Sequence, residues 1–180
     1  MNDLIYSATM SADGYIAGPG GDMSWLGPFT GADTAADELA ARTGALLVGN
    51  TTYGGDDPNE GTDAEGAFGG TWHGPQFVLT HRPPTTAAPD VTFTDDLEWA
   101  VGAARAAAGE RDVNVLGADV ARQCLELGLL DEVVVFVVPV LLGDGVRLFD
   151  RPGGRPVRLE HIARSTEAES TYLRMRVLKD

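Results

Sequence analysis

Cysteine occurs once among the 180 residues, at Cys124, so the chain can form no internal disulfide and no cysteine-based metal cluster. The helical spacing around Cys124 puts it on an inward face, the place of a small hydrophobe rather than a nucleophile. Basic residues are scarce as well. Thirteen Lys and Arg stand against 27 Asp and Glu, a formal net charge of −14. A surface of that sign repels nucleic acid and anionic membranes, so no nucleic-acid partner is expected. The shortage is uneven: before residue 80 there are eleven acids and one base, Arg42, and the next base is Arg82. A phosphate-bearing ligand would need local help. Long apolar runs are also missing. Nothing approaches the roughly 20 residues that span a bilayer, and the chain opens into DLIYSATM without a basic and then hydrophobic leader. The expectation is a cytoplasmic protein with no membrane partner.

What is present suffices for one core. Apolar residues make up 43% of the chain and no composition shift divides it, so residues 1–180 are expected to form a single domain. The stretch from Val113 to Phe149 is the most informative. Val113, Val115 and Leu116 read as a short apolar strand, Gly117 as a turn, and Asp119 as the N-cap of a helix. N–H groups left free at such a turn can hold a phosphate. Spacing then places Val120, Cys124, Leu125 and Leu127 inward, with Gly128 ending the helix. From Val133 to Leu142 there is no charge, which predicts a strand covered on both faces, as in the middle of an α/β sheet. Strand, glycine and helix also follow one another at ordinary α/β turns, so spacing alone leaves both readings open.

Elsewhere, Leu4–Met10 reads as a first strand, followed by an Asp13-Gly14 turn and a glycine-rich loop. Asp33–Thr43 reads as a helix with Ala36, Leu39 and Ala40 inward and Gly44 as its stop, and Ala45–Val48 as a short buried strand. Residues 54–74 are rich in glycine and acids and lack periodicity, which suggests a mobile flap or a surface insertion. Phe77–Thr80 is a strand closed by Pro83-Pro84. Asp95–Ala108 is a helix capped by Thr94 or Asp95, with Leu97, Val101 and Ala104 on one stripe. Val157–Arg164 and Thr171–Leu178 alternate in character and predict a terminal antiparallel pair.

Four segments, in this order, carry a family likeness: SADGYIAG at Ser11–Gly18, LLVGNTTY at Leu46–Tyr53, VLTHRPP at Val78–Pro84, and LGADVARQCLELGLLDE followed by PVLLGDGVRLF at Leu116–Phe149. Together they resemble the dihydrofolate-reductase-like superfamily, closest to the reductase domain of the bifunctional riboflavin-biosynthesis deaminase/reductase and its stand-alone bacterial relatives. The resemblance implies a three-layer α/β fold. Its sheet would be mixed and mostly parallel, of about eight strands, with helices on both faces and a C-terminal antiparallel pair, binding NADPH across the carboxyl ends of the central strands. Position by position, Ala8, Thr9, Ile16 and Ala17 match the segment facing the nicotinamide, with Gly18 opening the loop that covers it. Gly49, Asn50, Thr51 and Thr52 match the pyrophosphate turn. Thr80, His81 and Arg82 match the adenosine end, where a ribose 2′-phosphate sits. Leu116, Gly117, Ala118, Asp119, Val120 and Ala121 match the second phosphate-binding turn. Arg82 has independent support, being the only Arg or Lys between residues 43 and 104 and following directly on a predicted strand. The resemblance also implies a homodimer paired through the side of the sheet that bears Pro139–Phe149, where Arg147 is the one cation.

Three departures bear on function. Asn50 stands where dihydrofolate reductases often carry Arg, leaving amide and hydroxyl donors in place of a cation. Leu116-Gly117 replaces a Gly-Gly pair whose peptide bond is often cis. Trp25 is followed by Leu26, Gly27, Pro28, Phe29 and Thr30, with no acid, which disfavours reduction of dihydrofolate. Hydride transfer asks the protein chiefly for positioning. Asp22 and Trp25, in or beside the loop over the nicotinamide, are therefore candidate catalytic or proton-relay residues. Asp13, Val135 and Phe136 are candidate substrate residues, although Asp-Gly is also a standard turn pair. No metal is called for. The function so implied is NADPH-dependent reduction of a pyrimidine- or pterin-like small molecule, with 5-amino-6-(5-phosphoribosylamino)uracil one candidate. The alternative is a non-catalytic nucleotide- or heterocycle-binding protein on the same fold.

Overall fold

The computed structural model describes residues 2–29, 31–55, 57, 59–86, 88–167 and 169–179. Apolar runs, charged only at Asp112 and Glu132, supply the middle of one sheet: β1 (Leu4–Ser11), β3 (Thr43–Gly49), β6 (Asp112–Leu116) and β7 (Glu132–Val138). With β4 (Gln76–Leu79), β5 (Val91–Thr94), β9 (Leu159–Glu167) and β10 (Ser170–Val177) they form eight strands in the order β5-β4-β3-β6-β1-β7-β10-β9. All neighbours from β5 to β7 pair in parallel, whereas β10 runs antiparallel to both β7 and β9. A separate two-stranded ribbon joins β2 (Tyr15–Ala17) to β8 (Val146–Arg147). This is the mixed, mostly parallel sheet of the dihydrofolate-reductase-like fold.

Strand side chains alternate between two faces, and each face has its own cover. Leu4, Tyr6, Val113, Val115, Val133 and Val135 pack under α3 (Leu97–Ala108) and α4 (Ala118–Glu126). On the other face Ile5, Val134 and Phe136 meet Leu39 of α1 (Thr34–Arg42), and Leu46, Val48 and Val78 meet Trp72. Cys124 is fully buried on the inner side of α4, and burial pushes its thiol up to about 12. It is inert. No helix among the described residues is long and apolar enough to cross a membrane.

Several boundaries differ from the sequence expectation, each for a local reason. Gly44 lies inside β3 rather than stopping the helix, because a Cβ there would fall 2.6 Å from the carbonyl oxygen of Ala108, where α3 ends against the strand. Asp96, not Thr94 or Asp95, caps α3, accepting from the N–H of Trp99 at 2.9 Å. Leu127 follows α4 as its C-cap and is exposed. β7 ends at Val138 instead of Leu142, since Pro139 has no N–H to continue the ladder. The four-residue β5 went unanticipated because a run that short shows no usable period. Within the 54–74 segment, Phe68 and Trp72 pack against the sheet and Trp72 Nε1 donates to the carbonyl of Thr43 at 2.9 Å, so the end of that segment is core. Thr30 of the loop after Trp25, and Asp56 and Pro58 of the acidic segment, lie outside the described residues.

Charged residues gather at the N-terminal ends of the parallel strands. Arg42 reaches Asp112 at 2.6 Å, Arg105 and Lys179 reach Asp131 at 2.8 and 2.7 Å, and Arg174 grips Glu132 with two bonds of 2.7 and 3.0 Å. Glu132 is 1% exposed. Removing its partner strands a buried carboxylate, so Arg174→Met should lower the unfolding free energy by about 3 kcal/mol in a denaturant titration. The double replacement Glu132→Leu/Arg174→Met should recover most of that loss.

Candidate active site

The opposite, C-terminal edge of the sheet carries two strand-to-helix turns side by side. β3 passes through Gly49 into the single turn of α2 (Asn50–Tyr53), and β6 passes through Gly117 into α4. Gly117 has φ +110°, and a Cβ there would lie 2.8 Å from Thr52 Oγ1. A Cβ at Gly49 would lie 3.2 Å from Val120 Cγ2. The two turns therefore interlock, and only glycine at 117 meets both the conformation and the space.

Gly117 is also the N-cap of α4, and the first carbonyl bond of that helix runs from Ala121 N–H to Gly117 O at 3.1 Å. The N–H groups of Ala118, Asp119 and Val120 precede it and have no intrahelical acceptor. This corrects the expectation for Asp119. Its carboxylate turns along the outside of α4 to Arg122 (2.6 Å) and Gln123 (2.8 Å), and the Arg122 bond holds it below the ordinary carboxylate range. Val120 and Ala121 bury their side chains and offer backbone alone, and Leu116 packs its side chain beside Val48 and Trp72. No cis peptide bond is present among the described residues, so Leu116-Gly117 is trans. Asn50, Thr51 and Thr52 present exposed side chains at the same edge.

Beyond β4, Thr80 is buried and its Oγ1 accepts from Arg82 N–H at 3.1 Å, which fixes the turn after the strand. His81 and Arg82 are exposed, His81 with Nδ1 3.9 Å from Asp95. On the other side of the turns, Ala8 and Thr9 lie near the end of β1 opposite Val135 and Phe136 of β7. Ile16 and Ala17 lie on β2, and Gly18 N–H bonds to Asp22 O at 2.8 Å.

The substrate candidates are more scattered. Val135 points toward α3 and α4 while Phe136 points toward α1, its ring 5.4 Å from that of Tyr172. Consecutive strand residues cannot share a wall, so Phe136 is the one placed with Ile5 and Leu39. Asp22 is exposed and accepts from Ser24 N–H at 3.0 Å, which lowers its pKa. Trp25 sits half-buried in the 3₁₀ turn Ser24–Phe29, with its indole N–H buried and unpartnered.

Asp13 is a latch. One oxygen accepts from Ser11 Oγ at 2.6 Å and Leu142 N–H at 3.1 Å, the other from Gly143 N–H at 2.7 Å. These bonds, led by that from Ser11, pull its pKa down to about 2. They tie the 139–149 strap to the loop that leads into β2. Across the same joint, a Cβ at Gly145 would collide with the Ala17 carbonyl, and Arg147 lies 4.6 Å over the Tyr15 ring.

Sequence reasoning passed over one buried polar pair. Ser7 Oγ donates to Asn114 Oδ1 at 2.9 Å, and Asn114 Nδ2 is fully buried without a partner on the Ile5 face of the sheet. A lone Asn within the apolar run VNVL was the available signal.

Comparison with known proteins places this geometry. The family model of the RibD C-terminal domain matches residues 2–169. The chain belongs to the RibD C-terminal domain family. Among solved structures, it is similar to a protein assigned to riboflavin biosynthesis in Shewanella sp. PV-4, with 24% identity, TM-score 0.74, and coverage of 98% of this chain and 99% of that one. A diaminohydroxyphosphoribosylaminopyrimidine deaminase/5-amino-6-(5-phosphoribosylamino)uracil reductase of Thermotoga maritima matches at 17% identity and TM-score 0.65, covering 98% of this chain and 57% of that one. Dihydrofolate reductase of Enterococcus faecalis, in complex with NADP(H) and RAB-propyl, matches at 16% identity and TM-score 0.61, covering 98% and 97%. At these identities the structures show a shared fold. No curated protein sequence matches.

The latch makes a pH prediction for this RibD-type domain. Asp13 has a folded pKa below its ordinary 3.8, so its contribution is complete above that value and is lost as pH falls toward about 2. Hydrogen exchange should show Leu142 and Gly143 amides losing protection across that window, and Asp13→Ala should abolish the protection at neutral pH.

Proposed function

We propose that this chain is an NADPH-dependent reductase that delivers hydride to a carbonyl or imine carbon of a pyrimidine- or pterin-like small molecule. The observation that carries the reading is the interlocked pair of glycine turns at the carboxyl ends of β3 and β6. A Cβ would fill the gap at Gly117, and unbonded helix N–H groups border it, which is the donor set a pyrophosphate needs. Gly49, Asn50, Thr51 and Thr52 would hold one phosphate, and within the Leu116–Ala121 turn the N–H groups of Ala118, Asp119 and Val120 the other. Thr80, His81 and Arg82 would hold the adenosine end, Arg82 meeting a 2′-phosphate. Ala8, Thr9, Ile16 and Ala17 would flank the nicotinamide.

A reduced nicotinamide held there would supply a hydride to a C=O or C=N carbon, and the heteroatom, receiving the displaced electron pair, would take a proton from water. The protein's part is to hold and to dry the reacting atoms. The Asp13 latch and the β2–β8 pairing hold the loop that follows β1 against the 139–149 strap. Asp22, held in its charged form by the Ser24 N–H, is suited to accept a hydrogen bond from a ring N–H or from the water that gives up its proton. The unpartnered indole N–H of Trp25 is suited to donate to a ring carbonyl. Phe136 provides an apolar wall. A homodimer in the cytoplasm completes the proposal, with the exposed Leu141 and Val146 of the strap turned to the partner subunit.

A fluorescence titration with NADPH and with NADH tests the reading. NADPH should bind at least about tenfold more tightly, and Arg82→Ala should remove the difference, a change of roughly 1.4 kcal/mol. Failure of both nucleotides to bind at submillimolar concentration would refute it. Tight binding without NADPH oxidation across a panel of uracil and pterin compounds would favour the binding-protein alternative.

A further inference from the structure

The carboxyl edge of the sheet is divided in charge by β1. On the side of β3, β6 and β4 lie the free helix N–H groups and the exposed Arg82. On the side of β7, β10 and β9 the charges beside the start of α1 are acidic. Glu167 accepts from Thr34 N–H and Oγ1 at 3.0 Å each, and Asp33 accepts from Ala35 N–H at 2.9 Å and Ser170 Oγ at 2.7 Å. The N-terminus of α1 is thereby already occupied by the protein's own carboxylates. Beside it, a cleft of about 350 Å³ opens among Ala12, Val137, Pro139, Thr166, Glu169 and Thr171, at the end of the two strands that would flank the reacting carbon.

The position of every cation bears on what that side can accept, and all thirteen lie among the described residues. Arg42, Arg105, Arg174 and Lys179 are paired with acids at the far end of the sheet, where Arg111 and Arg158 also precede β6 and β9. Arg176 faces Glu160 there at 3.6 Å. Arg122 is held along α4 by Asp119 and Glu126. Arg151 and Arg155 lie together in the segment before β9, Arg151 Nη1 donating to the Arg155 carbonyl. Arg82 lies beyond β4, three strands from β1, a distance of roughly 14 Å. Arg147 is folded onto Tyr15, with Nη2 2.9 Å from its hydroxyl. Arg164 precedes Thr166 by two residues on the edge strand and does not line the cleft.

A phosphate monoester in this cleft would meet Glu169, and no Arg or Lys lines the cleft to replace its hydration. The reductase reading stands beneath the next step. We propose that the ring compound reduced at this site is uncharged or cationic and carries no phosphate, unlike the phosphoribosyl compound in the name of the Thermotoga maritima relative.

The test offers 5-amino-6-(ribosylamino)uracil and its 5′-phosphate to the NADPH-loaded protein and follows NADPH oxidation at low and at high salt. The unphosphorylated compound should show kcat/KM at least about tenfold higher at low salt, and salt should narrow the gap by screening the acids. Glu169→Lys should narrow it as well. An equal or better rate with the phosphate ester, above all one lost in Arg147→Met or Arg164→Met, would overturn the proposal. So would reduction of neither compound while NADPH is bound. Failure of NADPH itself to bind would remove the reductase reading, and the proposal with it.

Discussion

The close approach of two backbone turns governs this molecule. Gly49 and Gly117 end adjacent parallel strands at one level, and each occupies space that the other's neighbours leave open: Thr52 against Gly117, Val120 against Gly49. The contact needs β3 and β6 in register, and the register is set by Leu46 opposite Asn114 and Val48 opposite Leu116. It also needs α4 to leave the sheet at the angle its buried stripe of Val120, Ala121 and Cys124 dictates. Packing of the core and shape of the site are one constraint. A glycine at φ +110° costs conformational entropy and offers no side chain, yet it leaves backbone N–H groups open at a helix start, where a phosphate is held by dipole and hydrogen bond together.

Under the proposed function, that arrangement is how a strongly acidic chain would hold a polyanion. Cations are committed elsewhere, most of them to the N-terminal end of the sheet, where they neutralise Asp112, Asp131 and the buried Glu132. The carboxyl end instead presents main-chain N–H groups at the start of α4, with the exposed Arg82 at its outer limit. Asn50 follows the same pattern, an exposed amide at that edge in place of a cation. The latch at Asp13 works likewise, its carboxylate accepting from two main-chain N–H groups of the strap so that the loop that follows β1 is positioned without a basic residue.

Much of the fold was legible in the sequence because its strands are buried on both faces. Val133–Val138 has no charge to misplace, and Ala45–Val48 and Val113–Leu116 read the same way. Segments that failed to show were those where tertiary contact overrode local pattern. Gly44 looks like a helix stop and is instead a gap for the end of α3. Asp119 has the residue type of an N-cap but lies two residues into the turn, after Gly117 had taken that place. β5 is too short to show a period, and Val135 and Phe136 were grouped although a strand must send them to opposite faces. On the candidate site, motif order located the two glycine turns, while the buried Ser7–Asn114 pair and the bonds of Leu142 and Gly143 to Asp13 join residues more than a hundred positions apart. No local pattern reports such pairs.

The central claim is that the two glycine turns form the cofactor cradle. Backbone amide NMR during titration with NADPH tests it most directly. The account predicts that the largest shifts fall on Gly49, Thr51, Thr52 and Gly117 through Ala121, with a second group at Ala8, Thr9 and Ala17. Shifts concentrated instead around the Glu169 cleft or the N-terminal end of the sheet, with the glycine turns unmoved, would contradict it.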